Sequence, residues 1–111
     1  MQNNKIQSIK SKKTINALFN SSNFLYSKLF KITYIKNNEN TLNFLIAVSK
    51  KKFNTSPLRN KAKRWVRSIL NECTLKGYDV CIFANNLILK TEFQNIKSDL
   101  SSLLNKIDNN I

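Results

Sequence analysis

The chain has 111 residues, 41% of them hydrophobic, and carries 19 Lys+Arg against 6 Asp+Glu, a net charge of +13. That length suits a single domain spanning 1–111, and the apolar content excludes wholesale disorder. A charge imbalance of this size favours a polyanionic partner, either nucleic acid or an anionic membrane surface.

The membrane is the weaker of the two. No apolar run approaches the length of a spanning helix, and Met1-Gln2-Asn3-Asn4-Lys5 lacks the apolar core of a signal peptide. Cys73 and Cys81 form no Cys-x-x-Cys pair and the chain has no histidine, which argues against a zinc site or a disulfide framework. Buried thiols in a reducing cytoplasm are the expectation. The six acids, Glu39, Glu72, Asp79, Glu92, Asp99 and Asp108, are scattered singly, and without histidine there is no ordinary general base near neutrality. If the protein takes part in catalysis, another component supplies the chemistry.

In chain order, residues 1–10 are polar and read as a mobile tail. A short helix is expected over Lys12 to Asn20, with Ile15, Leu18 and Phe19 on one face. After the break at Ser21-Ser22-Asn23, Phe24 to Lys36 reads as a strand in which Phe30, Ile32 and Tyr34 alternate with Lys31, Thr33 and Ile35. Asn37 to Asn40 is a turn by composition, and Leu42 to Ser49 a second strand, so the pair is expected to form an antiparallel hairpin. Ser49-Lys50-Lys51-Lys52 closes that strand in a basic cluster. Ser56 is the expected N-cap and Pro57 the first residue of a helix running to about Lys76, capped by Gly77, the chain's single glycine. Tyr78 to Ala84 is a third strand. A last helix from about Thr91 to Ile107 has Phe93, Ile96, Leu100, Leu103, Leu104 and Ile107 as its apolar stripe. The fold class is α+β, a small sandwich of sheet and helices.

All three arginines lie between Arg59 and Arg67, although lysine serves everywhere else. Guanidinium grips phosphate bidentately and ammonium does not, so this helix reads as a site that needs the fork. At roughly 100° per residue, Leu58, Ala62, Trp65, Val66, Ile69, Leu70 and Cys73 share one face. Arg59, Asn60, Lys63, Arg64 and Arg67 share the other, with Lys61 at a boundary. No acid stands between Glu39 and Glu72 to neutralise that face. A phosphate backbone is the partner it suits; a merely solvated charged face is the alternative.

Ala47-Val48-Ser49-Lys50-Lys51, followed after a gap by Arg59-Asn60-Lys61-Ala62-Lys63-Arg64 and Arg67, resembles the bacterial ribonuclease P protein component. That family carries an Arg-Asn-Arg type motif after a strand ending in Ser/Ala-Lys-Lys. Ile15 and Phe19 sit where the family places an aromatic pair, and Gly77-Tyr78-Asp79-Val80 resembles the entry to its last strand. Lys61 and Ala62 replace the commoner Arg and Ile, Ile15 replaces an aromatic, and Trp65 is a bulky choice.

The resemblance implies a subunit that binds a catalytic RNA and the 5′ leader of precursor tRNA while the RNA, with its magnesium, removes the leader. It implies no cofactor on the protein and no stable protein partner. It also implies a left-handed β-α-β crossover. The RNA-binding set is then Arg59, Asn60, Lys61, Lys63, Arg64 and Arg67, with Lys50, Lys51 and Lys52 adding electrostatic pull. Ile15, Phe19, Phe30, Ile32, Thr33 and Tyr34 are candidates for a leader cleft between the first helix and the sheet, with core packing the competing reading for Ile15 and Phe19. A small ribosomal RNA-binding protein of similar fold is the rival function.

Overall fold

Strand β5 (Tyr78–Ala84) is apolar on both alternations, with Val80 and Ile82 on one side and Cys81 and Phe83 on the other. Such a strand is stable only when both edges are paired and both faces covered. The computed structural model, which describes residues 6–109, places it at the centre of a five-stranded sheet. The strands are β1 (Ile6–Ser8), β2 (Phe24–Tyr26), β3 (Phe30–Lys36), β4 (Leu42–Ala47) and β5, in the order β1-β4-β5-β3-β2. β5 is antiparallel to β3, from Phe30 opposite Ala84 to Lys36 opposite Tyr78. It is parallel to β4, from Leu42 opposite Tyr78 to Ala47 opposite Phe83. Helices α1 (Lys12–Phe19), α2 (Ser56–Glu72) and α3 (Phe93–Asn109), with a 3-10 turn over Asn86–Lys90, complete the described chain. No helix among the described residues is long and apolar enough to cross a membrane.

The expected β3–β4 hairpin is therefore opened by one strand. Asn37 to Thr41 still turns the chain, but it straddles the start of β5. Gly77 donates its N–H to the Thr41 carbonyl at 2.9 Å and accepts from the Asn37 N–H at 2.8 Å. Asp79 takes the side-chain amides of Asn37 and Asn43, both at 2.8 Å. Turn composition reports a reversal and is silent on whether another strand fills the gap.

The expected strand over 24–36 is also two. Ser27 donates its N–H to the Phe30 carbonyl at 2.7 Å, and its hydroxyl donates to Asp99 of α3 at 2.5 Å. That turn buries Leu29 and folds β2 back antiparallel on β3, Phe24 opposite Thr33. Within the expected mobile tail, Ile6–Ser8 instead pairs in parallel with Leu42–Phe44, and Ile9 is buried. Residues 1–5 lie outside the described residues.

α2 begins one residue early: Thr55 is the N-cap, accepting from the Leu58 N–H at 3.4 Å, and Ser56 is already helical. It also stops early, with Cys73 as C-cap. Continued to Lys76, the helix would swing Leu75 onto the basic outer face at roughly 100° per residue. By leaving the helix the chain buries Leu75 in the core. Gly77 is thus no helix cap. Its φ of +82° serves the turn into β5, where a Cβ would lie 3.6 Å from the Glu39 carbonyl oxygen.

One face of the sheet carries Phe30, Ile32, Tyr34, Leu42, Phe44, Val80 and Ile82 and is closed by Ala62, Val66, Ile69 and Leu70 of α2 and Ile96, Leu100, Leu103, Leu104 and Ile107 of α3. The other carries Cys81, with Ile35, Leu45, Ala47 and Phe83 at its margin, under Leu18 and Ile15 of α1. Eight residues make a rod of about 12 Å, whereas five strands span roughly 19 Å. Much of this second face stays open.

Leu75→Ala should cost about 2–5 kcal/mol in a urea melt, as a core truncation does; an outward Leu75 on a longer helix would cost no more than about 0.5 kcal/mol. Gly77→Ala should cost about 1–2 kcal/mol through its positive φ, since the space for a methyl group exists.

Candidate nucleic-acid interface

Asn60, Lys61, Lys63, Arg64 and Arg67 are exposed on the outer side of α2. Lys63 and Arg67 stand one turn apart, a like-charge spacing that costs an isolated helix stability. The first acid of the helix is Glu72, and it is engaged by Lys97 of α3 at 2.6 Å. The basic face therefore keeps its charge. Beside it, Lys63, Arg64 and Arg67 join Ser8, Phe44 and Ile46 around a groove of about 370 Å3 where β1 ends and the edge of β4 comes free. The Arg67 guanidinium lies 5.9 Å from the centre of the Phe44 ring, held there by its planar face.

Arg59 behaves differently from the rest. It is half-buried, donating through one terminal nitrogen to the Phe53 carbonyl at 2.8 Å and through the other to the Ser56 hydroxyl at 3.0 Å. Phe53 itself is fully buried. Arg59 thus ties the loop that carries Lys50, Lys51 and Lys52 to the start of α2. The expected place of Arg59 on the outward face is thus corrected: it stands three, seven and eleven residues before Ala62, Val66 and Leu70, on the buried stripe of the helix, and the carbonyl it serves lies toward the sheet.

The second surface is the open part of the sheet beside α1. Phe24 and Tyr26 of β2 project on this face, 46% and 69% exposed, with ring centres 5.8 Å apart and planes within 17°. Phe83 of β5 lies 6.0 Å from Phe19 at the end of α1. Between the two aromatic pairs stands Lys31, its ammonium 5.3 Å from the Phe24 ring and 5.7 Å from the Phe83 ring. The strip leads into a groove of about 560 Å3 lined by Tyr26, Lys28, Lys31, Ala47, Lys52 and Phe83 among others. Aromatic platforms interleaved with cations are what an extended single strand needs: stacking for the bases, charge for the phosphates.

Of the residues expected at a cleft, Phe19 is 54% exposed and belongs to this strip, which removes it from the core. Ile15 is half-buried and packs inward beneath α1. Phe30, Ile32 and Tyr34 are buried on the opposite face under α2 and α3, so they cannot line a cleft beside α1. Thr33 projects on the face beside α1, but it is 4% exposed and its hydroxyl has no hydrogen-bond partner among the described residues. Strand alternation explains the error. The most apolar set of β3 goes to the two-helix core, which leaves Lys31 and its neighbours to the open face. Phe24, Tyr26, Lys31 and Phe83 lie outside the expected set, although the period of two links Phe24 to Tyr26 and opposes Lys31 to Phe30. Lys50 and Lys51 are exposed, and Lys52 reaches the groove.

Cys81 lies under α1, and burial pushes its thiol pKa up to about 11 against the pull of Lys31. It is a packing residue with little thiolate to offer. Among the described residues, no three His, Cys, Asp or Glu side chains gather where they could hold a metal ion.

A family model described as Ribonuclease P matches residues 4–108. The ribonuclease P protein component of Mycoplasma genitalium is 25% identical over 105 residues, covering 93% of this chain and 82% of that one. Its counterpart in Clostridium botulinum strain Langeland is 33% identical over 85 residues, covering 73% and 77%. The fold matches the RNase P protein of Thermotoga maritima with a TM-score of 0.78 at 24% identity, over 87% of this chain and 94% of that one. It matches that of Staphylococcus aureus with 0.77 at 22% identity, over 92% and 94%. With a family model spanning nearly its whole length, this chain belongs to the ribonuclease P protein family.

Proposed function

We infer that the chain is the protein subunit of ribonuclease P and that its two basic surfaces divide the work. The observation that carries this reading is the separation of an arginine helix from an aromatic strip on opposite sides of one sheet. α2 suits structured RNA. A-form helices close their major groove to side chains, so recognition there runs through phosphates and shape, for which Lys63, Arg64 and Arg67 are equipped. The strip of Phe19, Phe24, Tyr26, Lys31 and Phe83 suits the unpaired 5′ leader of precursor tRNA. Lys52, fixed at its end through the Arg59–Phe53 tie, adds charge where the strand leaves the sheet.

The hydrolysis is assigned to the RNA subunit and the magnesium it binds. The chain has no histidine, and its six acids stand apart in the sequence. What the protein contributes is positioning. It raises affinity for the leader-bearing substrate and neutralises phosphates that would otherwise demand more divalent cation. A ribosomal role would use the arginine face but leave the aromatic strip without a purpose, and the family membership favours the ribonuclease P reading.

Three outcomes are expected. Protein freed of RNA should leave precursor tRNA intact, and cleavage at low magnesium should appear when the cognate catalytic RNA is added; leader removal by the protein alone contradicts the assignment. Replacing Arg64 and Arg67 together by Ala should weaken binding to the catalytic RNA by roughly two to four decades if both are fully engaged, at about 1.5–3 kcal/mol per charge-assisted bond. The slope of log K against log salt should become shallower by roughly one for each phosphate no longer neutralised. Arg59 would be a poor choice for that pair, because its removal would also release the 50–55 loop. Tyr26→Ala should lower holoenzyme affinity for precursor tRNA by about 1–3 kcal/mol, the value of one stacked base, and leave mature tRNA unaffected. Because Tyr26 is exposed, its folding stability should change by no more than about 0.5 kcal/mol in urea. Equal loss for both tRNAs would remove the strip from leader binding.

A further inference from the structure

Trp65 is the chain's single tryptophan and the largest side chain of α2, yet it is not in the core. The buried positions of that helix are filled by Ala62, Val66, Ile69 and Leu70. Trp65 stands at their margin on the α3 side, half-buried, its ring 6.4 Å from that of Phe93 and tilted by 60°. Phe93 is itself 37% exposed, although its sequence position puts it in the apolar stripe of α3. Trp65 packs against the edge of the core without being enclosed by it. A paired Trp and Phe at the surface leaves apolar area in water that the fold does not require.

The surroundings give that area a direction. The Lys61 ammonium lies 5.0 Å from the Trp65 ring centre. Lys61 stands between exposed Arg64 and Trp65 around the helix, so the indole borders the basic face. Two acids are near in the chain. Glu72 is held by Lys97, and Glu92 adjoins Phe93 at the start of α3. Lys61 and Arg64 outweigh them beside the indole.

Resting on the reading of α2 as the face for the catalytic RNA, we propose that Trp65 and Phe93 form a stacking platform for an unpaired nucleobase of that RNA, with Lys61 and Arg64 on the flanking phosphates. The platform lies on the two-helix side of the sheet, so it is separate from the strip that suits the leader. A splayed base presents a flat apolar ring flanked by anions, which matches an indole bordered by two cations. Lys61 occupies the ring in the free protein through an exposed cation–π contact, weaker than a stacked base. It is free to swing to a phosphate as the base arrives.

The single tryptophan makes the test direct. Saturating the protein with its cognate ribonuclease P RNA should quench Trp65 emission and protect it from acrylamide; unchanged emission and unchanged acrylamide access at saturation would overturn the proposal. Trp65→Leu, which keeps an aliphatic cover on the seam, should raise the Kd for the RNA about 5- to 100-fold, the range one stacked base supplies, with the salt slope unaltered. Trp65→Phe should recover most of that loss, since it restores a ring. If Trp65→Leu binds like the parent while the Arg64/Arg67 double alanine variant is weakened, the stacking site is wrong and the arginine reading stands. If both bind like the parent, the arginine reading falls as well.

Discussion

The double pairing of β5 is the constraint on which the rest of this molecule depends. A strand apolar on both faces must be roofed on both, and the chain has unequal means to do it. Two 17-residue helices close one side, and one eight-residue helix partly closes the other. The closed side turns the outer surface of α2 into a rigid platform for arginines. The half-closed side leaves Lys31 and the β2 aromatics in the open, with Phe83 half-buried beside them. Both candidate surfaces therefore follow from how one strand is buried.

The two surfaces differ in physics as well as in place. On α2 the groups on offer are charges without acidic partners among the described residues, which suits a partner recognised by its backbone and gives affinity that falls steeply with salt. On the open sheet they are ring faces with one lysine between them, which suits bases laid out one after another and is less dependent on salt. Arg59 joins the two regions. It belongs by sequence to the first, and by its bonds to Phe53 and Ser56 it holds the loop whose Lys52 borders the second.

Much of this is legible in the residues. The arginine cluster, the amphipathic α2 and the strength of the strand at Tyr78–Ala84 follow from local chemistry, and that chemistry is written in local spacing. What is not legible depends on long-range pairing. Nothing in Asn37-Asn38-Glu39-Asn40 says that β5 will enter between the strands it connects. The lone Gly77 is as good a helix cap as a turn residue until the burial of Leu75 decides. The choice of face on β3 turns on which set of its residues meets the larger helical layer. That is a property of the whole sheet, so the cleft implied by the resemblance takes in Phe30, Ile32 and Tyr34 when they form core. The aromatics of β2 are hidden for the same reason, since a turn at Ser27 held by distant Asp99 is needed to bring them round.

The central claim is that one protein holds two different RNAs on opposite faces of its sheet. The most direct measurement is photo-cross-linking in the assembled complex of protein, catalytic RNA and precursor tRNA. A photoreactive phenylalanine analogue is placed at Tyr26 in one preparation and at Lys63 in another. The account predicts that position 26 cross-links to leader nucleotides of the precursor and position 63 to the catalytic RNA. Cross-links from both positions to the same RNA would contradict it.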